Sequence, residues 1–301
     1  MCGAKYGGTI TNCYYLSDTA IGGINGKDVS GKAEGKSIEK FESGEVAYLL
    51  AEAEGKGLGE QVWGQHLGID EYPVPGSAYK VIKAAQGDKD ANGHYTYWAT
   101  FSNLKNDVNL SVPSDRKLYV YNATVSGGKM TLTERNSRVA KEEGVLLKTD
   151  VEYVNAKANK TNELTTASSD ENHLVATPAE AKTVTAAGCK LYRLTYNKAE
   201  KKEGLGFYLG VDDGKSLNAT PGKAYLKVSE NEAKAPSSAA LTRSFVFGGG
   251  SETTGIDGIT IMGTDVQRHG TIEGIFDLQG RKISNPTKGI YIKNNKKVII
   301  R

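Results

Sequence analysis

The sequence contains few of the residues that staple or interrupt a fold, with 3 cysteines, 7 prolines, 2 tryptophans and 6 phenylalanines among 301 residues. An odd number of thiols leaves at least one unpaired. Cys2, Cys13 and Cys189 form no C-x-x-C motif and have no histidine at metal-ligand spacing, so they indicate neither a disulfide scaffold nor a zinc site. No apolar run approaches the ~18 residues that a membrane-spanning helix needs, and the mean hydropathy is -0.44. The sequence predicts a soluble chain without a transmembrane segment.

An excess of charge of one sign is also missing. The 38 Lys and Arg residues nearly balance the 35 Asp and Glu residues, and the lysines are scattered among the acids. Because a nucleic-acid-binding surface needs a concentrated positive field, a formal net charge of +3 argues against nucleic acid as a partner. At ~100 to 200 residues per domain, the length suggests about two domains.

The first fifteen residues, MCGAKYGGTITNCYY, lack the features of a secretory signal peptide. They have neither a charged n-region nor an apolar h-region of about 7 to 15 residues. Two interpretations remain open: the protein stays inside the cell, or its true start is missing from this chain.

Glycine and tyrosine are abundant, with 36 and 16 residues, and Thr, Val and Tyr recur in short bursts between Gly, Asn, Asp and Ser clusters. This pattern is typical of many short strands joined by tight turns. Eleven segments between Ala78 and Gly248 are strand candidates: YKVIKA, HYTYWATFS, KLYVYNATV, KMTLTE, GVLLKT, VEYVNA, HLVAT, KLYRLTYN, GFYLGV, KAYLKVS and SFVFGG. Since no helical segments recur between them, the sequence predicts a mainly β protein with an antiparallel β-sandwich.

Alternation within KLYVYNATV predicts which face of that strand is buried. Leu118, Val120, Asn122 and Thr124 share one face. The other face has only apolar or aromatic side chains, and we expect it to be the core: Tyr119, Tyr121, Ala123 and Val125. The Ser-Gly-Gly segment at 126–128 then supplies the positive φ angles that a tight hairpin needs.

One helix is predicted before the sandwich. Ser37 can cap it by accepting a backbone N–H bond, and the glycines at 55–59 end it. Gly44 weakens the helix without forbidding it. The residues that fall near one face are Ile38, Phe41, Tyr48 and Leu49.

Composition divides the chain into four parts. Pro73 and Pro75 mark a boundary after the helix, and a Gly/Ser/Thr-rich stretch with one short strand, Gly258 to Met262, reads as a linker. The parts are an N-terminal segment at 1–75, the β-sandwich at 77–248, the linker at 249–270 and a small β-hairpin module at 271–301.

The strand candidates of the last module are Ile275 to Leu278, Gly289 to Ile292 and Lys297 to Ile300, with turns at Gln279-Gly280 and Asn294-Asn295. The sequence GIFDLQGRKISNPTKGIYIKNNKKVIIR resembles the C-terminal sorting domain of secreted Bacteroidetes proteins, the cargo of the type IX secretion system. It lacks that family's further opening strand with an Asn-Pro segment, and so resembles a shortened form. The positions that match the family pattern are Leu278, Gly280, Arg281, Pro286, Gly289, Tyr291, Lys296 and Lys297.

The first 75 residues, with NCYYL, KSIEKFESGEVAYLL and VWGQHLGIDEYPV, are similar to the closing segment of Bacteroidetes surface proteins with glycine-rich GLUG-type repeats. The residues that carry this resemblance are Tyr14, Tyr15, Phe41, Trp63, Tyr72 and Pro73. The resemblance implies that a longer parent carries more repeats upstream, which would explain the missing signal peptide. Both resemblances imply a secreted or outer-membrane-attached protein whose partners include the secretion and attachment machinery.

No catalytic signature stands out. There is no G-x-S-x-G motif, and His66, His94, His173 and His269 form no H-x-x-x-H pair. A Cys-His pair of Cys189 and His173 is conceivable, but cysteine is among the residues that are most often simply buried. The sequence implies no cofactor and no enzyme.

Two weaker binding candidates remain. Asp88, Asp90 and Asn92, followed by Gly93, reproduce the opening of a calcium loop, although position twelve is Ala99 instead of glutamate. The alternative is an ordinary polar turn between two strands.

An aromatic platform for sugars could be built by Tyr95, Tyr97 and Trp98, with core packing as the alternative. The sequence therefore leaves two functions: a non-catalytic adhesion or display protein of the cell surface, or a glycan-binding module with host or microbial glycans or proteins as partners.

Overall fold

The computed structural model describes residues 8–90, 92–159, 171–197, 204–234 and 244–246, together with the backbone of five later strands. The chain forms two compact units, Met1–Ile261 and Met262–Arg301. The structure is mainly β and most of its strand pairs are antiparallel, which confirms the predicted fold class.

The helical elements are α1 (Ile38–Glu42), α2 (Glu45–Glu54) and a 3₁₀ turn at Ser17–Thr19. The first twenty-one strands are β1 (Cys13–Leu16), β2 (Ala33–Lys36), β3 (Trp63–Gly64), β4 (Val74–Pro75), β5 (Tyr79–Lys83), β6 (Ala85–Lys89), β7 (Tyr95–Ser102), β8 (Val108–Ser111), β9 (Leu118–Ser126), β10 (Lys129–Arg135), β11 (Arg138–Val139), β12 (Gly144–Thr149), β13 (Tyr153–Ala158), β14 (Leu174–Ala176), β15 (Lys182–Thr185), β16 (Cys189–Asn197), β17 (Gly204–Leu209), β18 (Ser216–Ala219), β19 (Ala224–Ser229), β20 (Ser244–Val246) and β21 (Ile259–Met262). The last four are β22 (Ile275–Phe276), β23 (Lys282–Ile283), β24 (Gly289–Lys293) and β25 (Lys296–Ile300).

Three sheets of the first unit stack face to face. The central sheet has the strand order β21-β10-β9-β12-β7-β6. The helix-side sheet, β11-β8-β13-β5, covers one face of it, and the far sheet, β14-β19-β16-β17-β20, covers the other. The predicted sandwich is therefore present twice, with the central sheet common to both.

Burial on both faces explains the continuous apolar run of β12. Val145 and Leu147 pack in one cluster with Val108 of the helix-side sheet. Leu146, between them in sequence, packs with Phe207 of the far sheet. Because successive side chains of a strand point to opposite faces, such a strand needs apolar residues at every position.

The same arrangement changes the expectation for β9. Tyr121, Ala123 and Val125 are buried, as predicted. Val120 and Asn122 on the opposite face are also only 1% exposed, because that face packs toward the helix-side sheet. The sequence indicated one core face where the strand has two.

The hairpin between β9 and β10 has the predicted turn. Ser126 pairs with Lys129, which leaves a two-residue loop of Gly127 and Gly128. Their φ angles are 57° and 72°, as a type I′ turn requires at both central positions. The prediction of positive φ is confirmed for the two glycines, while Ser126 is the last residue of β9 and has no positive φ.

All eleven strand candidates between Ala78 and Gly248 are strands in the structure. Five short strands of this region, β6, β8, β11, β15 and β18, have sequence patterns too weak to indicate them. In β6 the reason is Gly87, which lies under an aromatic ring: a Cβ added there would meet Trp98 Cδ1 at 3.0 Å. A glycine that favours a turn in sequence here permits close packing of two strands.

The single predicted helix is two helices, α1 and α2, with Gly44 between them at φ +90°. A Cβ at Gly44 would also approach Leu67 Cδ2 to 2.6 Å, so both the turn and the packing need glycine. Ser37 precedes α1, but its side chain makes no capping hydrogen bond, so that part of the prediction is wrong.

Helix α2 packs on the outer face of the helix-side sheet. Ala47 lies in an apolar cluster with Leu67, Val81 and Tyr153. Residues before and after the two prolines at 73 and 75 thus share one cluster, and the boundary between the compact units lies at Ile261 instead. Neither helix of the described residues is long and apolar enough to span a bilayer.

The N-terminal segment contains a parallel strand pair. β1 pairs with β2 from Cys13↔Ala33 to Leu16↔Lys36, an offset of 33 − 13 = 20 residues. The chain returns through a tight turn at Asn25 and Gly26, both at positive φ. One loop of about twenty residues therefore brings the backbone back beside itself in register.

A buried ion pair joins the end of β10 to the segment before β12. Arg135 donates to Glu143, and their side chains are 7% and 8% exposed. Arg135 Nη2 also donates to Arg138 O at 2.8 Å, and Glu143 Oε2 accepts the Ala140 N–H at 3.0 Å. These bonds pair both charges within the chain, and Arg135 Nε is left without a hydrogen-bond partner among the described residues.

The second unit contains a four-stranded antiparallel sheet in the order β23-β22-β24-β25. Lys293 pairs with Lys296, which leaves the two residues of the predicted Asn-Asn turn between β24 and β25. The three strand candidates here are strands, with bounds that differ by one to two residues, and β23 was not predicted. Of the predicted linker the structure describes β21, which overlaps the strand predicted there.

Candidate functional site

Two neighbouring cavities of about 620 and 470 Å³ open on the first unit. The larger lies among the end of α2, β5, the end of β7 and the turn at 220–223. The smaller lies between β7 of the central sheet and strands β16 to β19. Because both are lined by Lys83, Thr220 and Lys223, we treat them as one feature, the lysine groove.

A rigid turn places Lys223 in the groove. Pro221 and Gly222 connect β18 to β19, and Gly222 has the positive φ of +74° that the third position of a type II turn needs. Lys223 O accepts hydrogen bonds from Ser102 Oγ at 2.5 Å and from Thr177 Oγ1 at 2.8 Å. The backbone of Lys223 is therefore held by two other segments, which fixes the origin of its side chain.

Two of the other lysines that line the groove have ion-pair partners. Lys83 Nζ lies 2.9 Å from Glu152 Oε1, and Lys105 pairs with Glu60. For Lys223 Nζ, the described part of the chain provides neither a hydrogen bond nor an ion pair. Lys223 is thus a half-buried cation of the groove that has no ion-pair partner among the described residues, with Glu52 as the nearby acidic charge.

The surroundings of Lys223 disfavour its charged form. Burial lowers the pKa of its ammonium group, an effect that Glu52 opposes and Lys80 reinforces. Lys80 Nζ itself donates to Lys56 O at 2.8 Å. An anion placed beside Lys223 would remove this electrostatic cost.

The smaller cavity combines cations with hydroxyl, amide and aromatic groups. Its described charged lining residues are Lys83, Arg193 and Lys223, all positive. Tyr196 also lines it and is 40% exposed, with Tyr225 half-buried nearby. The neutral polar side chains of its lining are Thr100, Thr177, Thr195, Asn218 and Thr220.

The predicted aromatic platform is not one surface. Tyr95 and Tyr97 lie on one face of β7, and Trp98 lies on the other. Trp98 is 4% exposed in the core between the central and far sheets, with Lys148 Nζ 5.4 Å above its ring. Tyr95 is 44% exposed and stacks under Lys89. The structure favours the alternative of core packing for Trp98.

The calcium candidate is a polar turn between β6 and β7. Asp90 Oδ1 accepts the backbone N–H groups of Asn92 and His94, each at 2.9 Å, and these bonds lower the pKa of its carboxyl group. Asp88 contributes its backbone carbonyl to Thr96 Oγ1. Ala99, the twelfth position, is buried in a strand. The Asp90 carboxylate is therefore occupied by the turn itself.

His173 closes the edge of β9 instead of serving Cys189. Its Nδ1 accepts the Val125 N–H at 3.1 Å, and its backbone N–H donates to Ala123 O at 2.7 Å. Its Nε2 faces Glu171 Oε1 at 3.2 Å. Both ring nitrogens are engaged, so the conceivable Cys189–His173 pair does not form.

Glu171, His173 and Glu232 bring three potential metal-ligand atoms within 4.8 Å of one another. Since Nδ1 of His173 accepts the Val125 N–H, the ring proton lies on Nε2, the atom that would bind the metal. Metal binding would require that proton to move to Nδ1 and the bond to Val125 to break. The tautomer that completes the sheet is therefore the wrong one for a metal site.

The remaining predicted positions are distributed over the chain. Cys13 is exposed and Cys189 half-buried, both as free thiols, and Cys2 lies outside the described residues. Of the sorting-motif positions, Leu278, Gly280, Arg281 and Pro286 lie outside the described residues, as do Asn294 and Asn295. Gly289 and Tyr291 lie in β24, and Lys296 and Lys297 in β25.

Of the aromatic residues in the repeat-like segment, Phe41 and Tyr72 contact edge to face at 5.6 Å between ring centroids. Tyr15 donates from its hydroxyl to Asp28. Trp63 opens β3, which pairs with β4 beyond Pro73. These residues help to close the N-terminal segment on itself.

Comparisons of the chain with protein-family models, with curated proteins and with solved structures find no match.

The sequence interpretation missed Lys223 and its groove. The available signal was the segment Thr220-Pro221-Gly222-Lys223, a turn that presents a lysine at the start of a strand. That pattern predicts the turn but not burial of the lysine, because the groove depends on residues as distant in sequence as Tyr48.

Proposed function

We propose that this chain is a non-catalytic β protein of the cell surface or of the secreted fraction, which binds its ligand in the lysine groove. The observation that carries the proposal is the ammonium of Lys223, which has no ion-pair partner among the described residues and stands on a fixed backbone inside an open groove. Removing a charge from water is costly unless it is paired, so a half-buried cation without an ion-pair partner in a groove is suited to an anionic partner from outside the chain.

The chemistry of the groove supports binding over catalysis. Acid–base catalysis at a glycosidic or acyl bond needs a pair of placed carboxylates or a nucleophile with its base. Here the carboxylates of the described lining are Glu52 and Glu60, and Glu60 is paired with Lys105.

Two sequence resemblances support the surface location. The C-terminal positions Gly280, Arg281, Gly289 and Tyr291 match the pattern of the type IX sorting domain. In the N-terminal segment, the parallel pairing of β1 and β2 at an offset of twenty residues is the geometry by which repeats of a solenoid stack. Both features suit a display protein of the outer surface.

The location is tested with a fusion of residues 253–301 to a periplasmic reporter in a host that has the type IX machinery. We expect the reporter at the cell surface or in the medium. A matched fusion with Gly280 and Arg281 replaced by alanine should remain in the periplasm. A wild-type fusion that also remains there contradicts the sorting role.

Binding is tested with the purified full chain on an array of neutral and acidic glycans and of extracellular-matrix proteins. We expect specific binding to at least one class, which competes with soluble ligand. A chain that binds no member of the array contradicts the proposed binding role.

A further inference from the structure

The lysine groove has a charge pattern that selects among ligands. In the smaller cavity the described charged side chains are all positive; Lys83 is paired with Glu152, and Lys223 is the least exposed of the three. A neutral ligand would leave the desolvated ammonium unpaired, whereas a carboxylate or sulfate would form a charge-assisted hydrogen bond with it.

The neutral lining of the cavity adds a second requirement. Tyr196 presents an exposed ring, and Asn218 and Thr220 present an exposed amide and hydroxyl. A saccharide can contact both kinds of group at once. Its apolar ring faces stack on aromatic rings, and its hydroxyls hydrogen-bond to polar side chains. A small inorganic anion would contact the cations but not the rest of this surface.

The dimensions are compatible with a short stretch of saccharide. Cavities of about 470 and 620 Å³ are each within the roughly 300–1,000 Å³ range of ligand pockets, and they adjoin at Thr220 and Lys223. A nucleic acid strand would instead require a positive track along its phosphates, while Lys83 and Lys105 at the rim are neutralised by Glu152 and Glu60.

We infer that the groove binds an acidic glycan, a saccharide that carries carboxylate or sulfate groups, with Lys223 Nζ bonded to the anionic group and Tyr196 stacked on the sugar ring. This inference rests on the proposed binding role of the groove. It adds the ligand class and two specificity-determining residues, neither of which belongs to the aromatic platform expected from the sequence.

The test is calorimetric titration of the full chain with oligogalacturonate, whose sugars carry carboxylates, and with its methyl ester, which has the same backbone without the charge. A sulfated and an unsulfated dextran oligosaccharide form the second pair. We expect binding of at least one acidic member and at least about tenfold weaker binding of its neutral counterpart. Affinity should fall as salt is added, because the contact is ionic.

Variants assign the contacts. Lys223→Gln should weaken acidic-glycan binding by about 10- to 100-fold. Lys227→Gln, which removes the same charge from an exposed position of β19, should leave it unchanged. Tyr196→Ala should weaken it by roughly fivefold and leave any binding of inorganic sulfate unaffected. Circular dichroism and thermal unfolding establish that each variant is folded.

The possible results distinguish a wrong ligand class, a wrong binding site and a wrong binding role. If the chain binds neutral glycans or matrix proteins and ignores acidic glycans, the binding role stands and the ligand class is wrong. The ligand class is also wrong if the chain binds only a single-stranded oligonucleotide, or only inorganic sulfate. If acidic glycans bind equally to wild type and Lys223→Gln, the assigned site is wrong. If nothing binds, the proposed function fails as well.

Discussion

Arg135 and Lys223 are both at least partly buried cations, and the chain treats them differently. Arg135 meets Glu143 and a backbone carbonyl within its own fold, where it joins two strand ends. Lys223 sits in a groove, on an equally fixed backbone, and receives no such partner from the described residues. The fold thus supplies a counter-ion to the cation that joins two core segments, and gives the cation of the groove no ion-pair partner among the described residues.

The largest change in stability is expected from breaking the buried ion pair of Arg135 and Glu143. Glu143→Ala removes the carboxylate from Arg135 and from the Ala140 N–H, so it should lower the free energy of unfolding by about 3–5 kcal/mol. Urea denaturation measures this change. The neighbouring Glu142→Ala, at a side chain that is 66% exposed, should change stability by less than about 0.5 kcal/mol. Similar losses in both variants would show that the buried pair is not structural.

The buried phenol of Tyr192 offers a comparison with the two cations, because it is neutral in the folded state at ordinary pH. Burial raises the pKa of Tyr192 above its ordinary value of 10.0. Above pH 10 the phenol ionises in the unfolded chain and stays protonated in the folded one. The unfolded state then binds fewer protons, so stability falls as pH rises. In Tyr192→Phe this decline should be shallower by up to about 1.4 kcal/mol per pH unit, measured by urea denaturation between pH 9 and pH 11 (about one unit either side of 10). An unchanged slope would contradict burial of this hydroxyl in the folded state.

A smaller change in stability, of opposite sign, is expected from replacing Lys223. Lys223→Met removes a desolvated charge and keeps the length of the side chain, so it should raise the free energy of unfolding by about 1 kcal/mol at neutral pH. Lys227→Met, at an exposed position, should change it by less than about 0.5 kcal/mol. A large loss of stability in Lys223→Met would mean that the ammonium is compensated within the chain.

The pH dependence sharpens this comparison. Because the pKa of Lys223 is lowered in the folded state, the unfolded chain binds more protons between that lowered value and the ordinary 10.5. Wild-type stability therefore rises with pH in this window relative to Lys223→Met, with Glu52 and Lys80 as the nearby charges. The advantage of the variant should shrink as pH approaches 10.5.

The smallest effect is expected at the exposed rim. Lys83 and Glu152 lie 2.9 Å apart, but their side chains are 45% and 37% exposed. Glu152→Gln should therefore cost no more than about 0.5 kcal/mol, and added salt should remove the difference from wild type. A loss comparable to that of Glu143→Ala would contradict the distinction between buried and exposed pairs.

The mainly β class and most strands were predictable because their signals are local. Alternation marked β7, β9 and β16, and the glycine pair at 127–128 marked its own hairpin. The third layer was not predictable, since Asn122 and Val120 read as an outward face until the helix-side sheet covers them. Periodicity reports how many faces are apolar, not how many sheets pack on them.

The candidate site was less predictable than the fold. Trp98 drew attention because aromatic residues clustered around it in sequence, yet alternate faces of β7 separate it from Tyr95 and Tyr97. Lys223 carried no such signal, because a lysine after Pro-Gly is ordinary in a turn. Its environment comes from Ser102 and Thr177, far away in sequence, and only the fold brings them together.

Among the described residues, each face of the central sheet is covered by another sheet over most of its area, although Tyr95 near its edge is 44% exposed. Loss of the helix-side sheet would expose Val145 and Leu147 of β12 to solvent. Loss of the far sheet would expose Leu146. Detachment of either covering sheet would expose apolar side chains to water, so we expect the three sheets to unfold in a single cooperative step. The backbone amides of β12 should be among the last in the protein to exchange their hydrogens with solvent.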